Sequence, residues 1–257
     1  MNDVAQDTGL AQADILARAG SHIERVGFPL SNSIALKYLI TRIGRFLSPG
    51  AVQQLGAGVN YLEAGRWMRA HNYDVSRRLQ NREELFDLVG NQVSDRDVLY
   101  MEFGVFCGDA MRYWSKLLQN PNSKLHGFDT FEGLPESWAD TSYPPGYFST
   151  GGKLPQIDDP RVQFFKGLFE ETLPHYQLPP HEVLILMLDA DLYSSTAYVL
   201  NTLTDAIVPG TYIYFDEFHH RFDEMRAFNE FLQRTGWEFS LVGTSRLLDN
   251  VIFQRTR

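Results

Sequence analysis

From Asp95 onward short apolar runs bounded by glycine, proline or aspartate alternate with amphipathic segments, and this alternation restricts the fold more than any other feature. It predicts strands at Val98–Phe103, Lys124–Phe128, Val162–Lys166, Val183–Leu188, Thr211–Phe215, Glu238–Gly243 and Asn250–Gln254. Helices are predicted between them at Asp109–Leu118, Phe169–Leu173, Ser195–Ala206 and Asp223–Gly236. Units of this kind build an α/β domain in which a mostly parallel sheet of seven strands carries helices on both faces. Residues 135–160, rich in proline, glycine, serine and aromatics, are too long for an ordinary connection and are expected to form a lid.

Residues 1–95 read as a helical addition ahead of a core at 96–257, serving as a substrate cap or as oligomer contacts. The first 20 residues are polar and alanine-rich, with weak helical character. Ile34, Leu36, Leu39, Ile40, Ile43 and Phe46 recur at helical spacing, and Pro49-Gly50 closes that run. Two further helices are predicted at Leu55–His71 and Ser76–Val89. Tyr61, Leu62, Trp67 and Met68 could face a substrate mouth, although plain helix packing is the stronger expectation.

Charge narrows the partners. With 23 basic and 32 acidic side chains the net charge is −9, and the acids are scattered, so neither nucleic acid nor an anionic membrane surface is an expected partner. The single cysteine, Cys107, forbids an internal disulfide and fits a reducing compartment. No secretory leader and no apolar stretch near the roughly 20 residues of a membrane span is present, so the expected location is cytoplasmic.

In open parallel sheets ligands bind beyond the carboxyl ends of the strands. The first such loop runs Glu102-Phe-Gly104-Val-Phe-Cys-Gly108, where the glycines let backbone pass close to a nucleoside and Glu102 suits an amino group better than a pyrophosphate. The spacing of Gly104 and Gly108 breaks the G-x-G-x-x-G dinucleotide pattern, which argues against NAD. At the second strand end, Asp129-Thr130 suits ribose hydroxyls, with capping of the next turn as the bland alternative. Gly167 ends the third strand and would let backbone reach an adenine edge. Asp189-Ala-Asp191 and Asp216-Glu217 follow the fourth and fifth. Four carboxylates at adjacent strand ends repel one another without a cation, and Asp189, Asp216 and Glu217 form an all-oxygen set that favours magnesium, with manganese or calcium as alternatives. Asp191 could instead cap the following helix.

The segments Gly127–Glu136, Phe148–Pro155, Gly167–Pro174, Asp189–Thr196 and Val208–Glu217 together resemble the macrocin O-methyltransferase family of class I methyltransferases, which includes enzymes that methylate sugars on macrolide and aminocoumarin antibiotics. The resemblance implies a Rossmann-like seven-stranded sheet, S-adenosylmethionine as methyl donor, a magnesium-type ion on the aspartates and a mobile lid over a small-molecule hydroxyl acceptor. Related chains more often carry cysteine or glycine at the position of Ala190 and aspartate at that of Glu217; both residues here remain compatible with a metal site. Transfer to oxygen needs a base, and Asp189 or Asp191 is the candidate. His219 and His220 could assist as base or ligand, with at least one expected to be an ordinary surface residue. Tyr193 and the lid aromatics could stack on a sugar or phenol. A catechol or phenol methyltransferase, or a non-catalytic S-adenosylmethionine-binding module, are the competing readings. A homo-oligomer built through the N-terminal helices is expected.

Overall fold

A computed structural model describes residues 33–139 and 141–257. The expectations for the first 20 residues lie outside the described residues. The chain divides between Val52 and Gln53 into two compact units. The first contains α1 (Ile34–Gly44), capped by the Ser33 hydroxyl and without a buried residue. Pro49-Gly50 does not simply end a helix: Pro49 opens α2 (Pro49–Ala70), where the missing proline N–H costs nothing and the Ser48 hydroxyl accepts from the Ala51 N–H.

In the second unit α2 contributes Ala64, Trp67 and Met68 to the core, the bland packing expected of Trp67 and Met68. The helix predicted from Ser76 begins only at α3 (Arg82–Val93). The preceding residues instead run alongside the sheet, with Leu79 bridged to Ser245, and Asn81 caps the Glu84 N–H while Glu84 accepts from the Gln80 N–H.

The remaining elements are β1 (Val98–Phe103), α4 (Asp109–Leu117), β2 (Lys124–Asp129), β3 (Val162–Lys166), α5 (Phe169–Thr172), β4 (Val183–Leu188), α6 (Tyr193–Thr202), β5 (Tyr212–Phe215), α7 (Glu224–Thr235), β6 (Phe239–Thr244) and β7 (Val251–Arg255). The sheet order is β3-β2-β1-β4-β5-β7-β6, with β1 to β5 parallel and β7 antiparallel to both neighbours. This is the seven-stranded, mostly parallel, Rossmann-like sheet of class I methyltransferases, preceded by a helical extension. Alternate side chains feed two cores. Leu99, Met101 and Phe103 of β1 pack with α2, α6 and α7, while Val98 and Tyr100 pack with α3 and α4. Every residue of β1, β4 and β5 is buried, which is why these strands read as unbroken apolar runs. The chain leaves β1 toward β2 and β4 toward β5, so a crevice opens between the ends of β1 and β4.

Candidate active site

A cavity of about 750 Å³ fills that crevice. Gly104, Asp129, Thr130, Gly167, Asp189, Asp191, Asp216, Glu217 and His220 all line it, although they come from five different strand ends. Glu102, Gly108 and His219 do not. Gly104 has φ +91°, and a Cβ there would lie 1.8 Å from the Asp189 carbonyl oxygen; only glycine allows the β1 and β4 ends to meet this closely. Gly108, at φ +78°, precedes α4 behind Pro155.

Asp129 organises its own loop. Its Oδ2 accepts from the Val105 and Phe106 N–H groups at 2.8 Å each, and its Oδ1 from the Phe131 N–H at 2.7 Å. The turn-capping alternative is thus realised, on a side chain that still borders the cavity.

The β4 and β5 ends differ. Among the described residues no hydrogen bond reaches the carboxylate of Asp189 or Asp191. Asp191 does not cap α6, whose N-terminal N–H at Tyr193 is bonded by Asp223 at 3.3 Å. It adopts φ +60°, uncommon for a residue with a Cβ. Asp216 Oδ1 accepts from the Tyr214 hydroxyl at 2.5 Å and from Asn250 at 2.9 Å. Burial first, then Asp216 and Asp191, hold Asp189 well above the usual carboxylate range. Burial and Asp216 push Asp191 up to about 7, and burial with Asp216 and Asp249 pushes Glu217 up to about 8. Glu102, buried beneath the floor and bonded by the Tyr100 hydroxyl at 2.9 Å, is raised by burial to about 8.

Sequence reasoning missed Arg82. Its Nη1 lies 3.6 Å from Asp216 and 3.9 Å from Asp189. Burial works against its charge, but Asp216 and its neighbours more than compensate and raise its pKa. One local sign exists: a cation on the first turn of a helix opposes the helix dipole, and such departures from local preference mark functional positions.

Neither histidine is an exposed surface residue. His219 is 7% exposed, and burial, with His220 beside it, lowers its pKa to about 4, so the ring is neutral. Tyr61 stacks on it at 4.6 Å. His220 packs against Trp138 at 5.0 Å.

Among the described residues, 135–139 and 141–160 form no helix or strand, as their composition predicts, yet the loop is tied down. Trp138 is buried with Leu134 and Leu192, its Nε1 donates to Asp223 at 3.0 Å, and the Ser194 hydroxyl donates to Glu136 at 2.7 Å. Tyr143 and Phe148 face the cavity. Tyr193 does not reach it; its hydroxyl bonds Glu230 at 2.6 Å and its ring lies under Arg226.

Comparison with known proteins agrees with the fold and the motif order. Residues 153–242 match the macrocin-O-methyltransferase (TylF) family. An 8-demethyl-8-(2,3-dimethoxy-alpha-L-rhamnosyl)-tetracenomycin-C 4'-O-methyltransferase from Streptomyces olivaceus is 28% identical over 168 residues, which span 58% of this chain and 63% of that protein. The calicheamicin methyltransferase CalS11 has the same fold, with a TM-score of 0.50 and 18% identity over 99% of this chain and 94% of its own. The O-methyltransferase NovP is 25% identical over 68% of this chain and 80% of its own, at a TM-score of 0.48. Fold and sequence together place the chain in the class I methyltransferase architecture. Within that class the family match is confined to residues 153–242, and the likeness to CalS11 is one of fold. Among the described residues no helix is long and apolar enough to cross a membrane.

Proposed function

We propose that this chain binds S-adenosylmethionine and transfers its methyl group to a hydroxyl of a small molecule, a sugar ring of a natural product or glycan. The charge of the cavity carries the reading. Asp129, Glu136, Glu170, Asp189, Asp191, Asp216 and Glu217 line it, and among the described residues no lysine or arginine does. A nucleoside phosphate would be repelled by such a lining, whereas S-adenosylmethionine offers a sulfonium and an ammonium. Asp129 and Thr130 at the end of β2 offer oxygens to ribose hydroxyls, and Gly104 and Gly167 would admit the nucleoside close to backbone.

Asp189, Asp216 and Glu217 fit a hard dication: the donors are all oxygen, Asp189 keeps 28% of its side chain open, and the crowding of acids is only partly offset by Arg82. Bound there, magnesium or manganese would orient the acceptor hydroxyl and lower its pKa. The acceptor oxygen then forms the new C–O bond as the S–CH₃ bond breaks, sulfur keeps the electron pair, and the hydroxyl proton passes to Asp191 or Asp189. A carboxylate held near 7 is suited to take a proton at neutral pH, which favours Asp191. Trp138, Tyr143 and Phe148 offer aromatic faces, and Glu136, Ser194, Ser195 and His220 offer hydrogen bonds. A sugar ring presents that mixture of apolar faces and hydroxyls. The Streptomyces olivaceus relative, whose name describes methylation at a 4' oxygen of a rhamnosyl-bearing compound, points the same way.

The test is calorimetric titration of S-adenosylmethionine into the full chain, with magnesium and then with chelator, followed by an acceptor screen of sugars and phenols. One site per chain, weakened at least tenfold by Asp129→Ala, is expected. Absence of binding under every condition would overturn the reading.

A further inference from the structure

Around Glu217 lies a second group of possible ligands, of which the methyl-transfer reading leaves His219 unused. The turn after β5 closes with the His220 N–H donating to the Glu217 carbonyl at 2.9 Å and the Phe218 N–H to the Asp249 carbonyl at 2.7 Å. This turn places one ligand atom each of Glu217, His219 and His220 within 4.8 Å of one another. The two imidazole rings stand 4.7 Å apart at 77°, while Tyr61, stacked 6° from parallel, covers a face of His219.

Packing alone does not explain this arrangement. His219 is 7% exposed, and its Nδ1 is buried with no hydrogen-bond partner. Glu217 lies 3.4 Å and Asp249 3.0 Å from that nitrogen, but neither stands in hydrogen-bond geometry. A buried nitrogen among carboxylates without a bond calls for a missing partner. Mixed imidazole and carboxylate donors suit a first-row transition dication, in contrast to the oxygen-only set of Asp189, Asp216 and Glu217.

We propose that Glu217, His219 and His220 form a second cation site, selective for a zinc-type transition dication, with the Nδ1 of His219 as its buried donor. Glu217 belongs to both sets. Occupation of the imidazole site therefore draws Glu217 away from Asp189 and Asp216, and a transition ion opposes magnesium binding.

Cobalt(II) serves as the probe because its visible absorption reports nitrogen ligation directly. It is titrated into chelator-treated full-length protein with no S-adenosylmethionine or acceptor present, so the result is independent of the methyl-transfer reading. The expected outcome is one equivalent of cobalt with ligand-field bands, displaced by zinc and retained in Asp189→Asn. His220→Gln and His219→Gln each abolish the bands. Circular dichroism establishes that each variant is folded. Should His219→Gln fail to fold, His220→Gln, which alters a residue at the cavity edge, decides alone. Absence of stoichiometric cobalt binding, or bands that persist in a folded His220→Gln and vanish in Asp189→Asn, would overturn the proposal.

Discussion

The two halves of the crevice treat their carboxylates in opposite ways. At the end of β2, Asp129 is satisfied by three backbone N–H groups and shapes the loop that carries it. At the ends of β4 and β5, Asp189 and Asp191 receive no hydrogen bond among the described residues, and burial with mutual repulsion raises their pKa values. One half is complete before any ligand arrives; the other is held against its electrostatic preference. Such asymmetry suits an enzyme that must hold a nucleoside firmly and yet respond to a cation at the reacting centre.

Exchanging the two kinds of acid gives the sharpest contrast. Asp129→Ala leaves three N–H groups without acceptors and is expected to lower stability by about 2–3 kcal/mol, because orphaned donors forfeit their desolvation cost. Asp189→Asn should do the reverse, raising the stability of cation-free protein at pH 8 while abolishing magnesium binding. Chemical denaturation of both variants with chelator present measures the pair. A loss of similar size in Asp189→Asn would erase the distinction between the halves.

The pH dependence follows from the same comparison. Glu102 and Glu217 are raised to about 8 and Asp191 to about 7, whereas carboxylates in an unfolded chain titrate near ~4. The folded protein thus holds extra protons between those limits. Stability from this cluster is full below pH ~4, falls as pH rises through the 7 to 8 region, and is level above it. Without divalent ions the melting temperature should drop by roughly 3–8 °C from pH 5.5 to pH 8.5. Saturating magnesium, which binds the ionised form, should remove most of that drop. A drop of equal size with magnesium would show that the raised acids lie outside the cation site.

How much of this contrast the sequence discloses depends on the distance over which each contact acts. The boundaries of β1 and β4 follow from the residue pattern because parallel strands buried on both faces are continuous apolar runs, and Asp129, Asp189 and Asp216 stand at strand ends for the same local reason. The loop at 135–160 is legible from composition, but its bond from Trp138 to Asp223 joins residues 85 apart, and nothing local encodes it. Ser76–Asn81 satisfies a helical pattern, yet Leu79 gains a bridge to Ser245 that no periodicity reveals. Pro49 illustrates the converse: it is a correct punctuation mark whose direction, closing one helix or opening the next, depends on the Ser48 cap.

Arg82 makes another of these long-range contacts and gives the finest test. It reaches Asp189 and Asp216 from the first turn of α3, and supplies the incomplete counter-charge of the β4 and β5 half. If the guanidinium acts as a resident cation on the same oxygens, it competes with a metal ion for them. Arg82→Gln should then tighten magnesium binding by a few-fold while costing cation-free protein about 1 kcal/mol at pH 8, the scale of a partly exposed ion pair. Manganese titration followed by its paramagnetic signal reads the affinity, and denaturation reads the stability. Weaker metal binding in Arg82→Gln would reverse the assignment: Arg82 would then be the residue that holds the two carboxylates in place for the ion, and the uncompensated half of the crevice would be organised in advance after all.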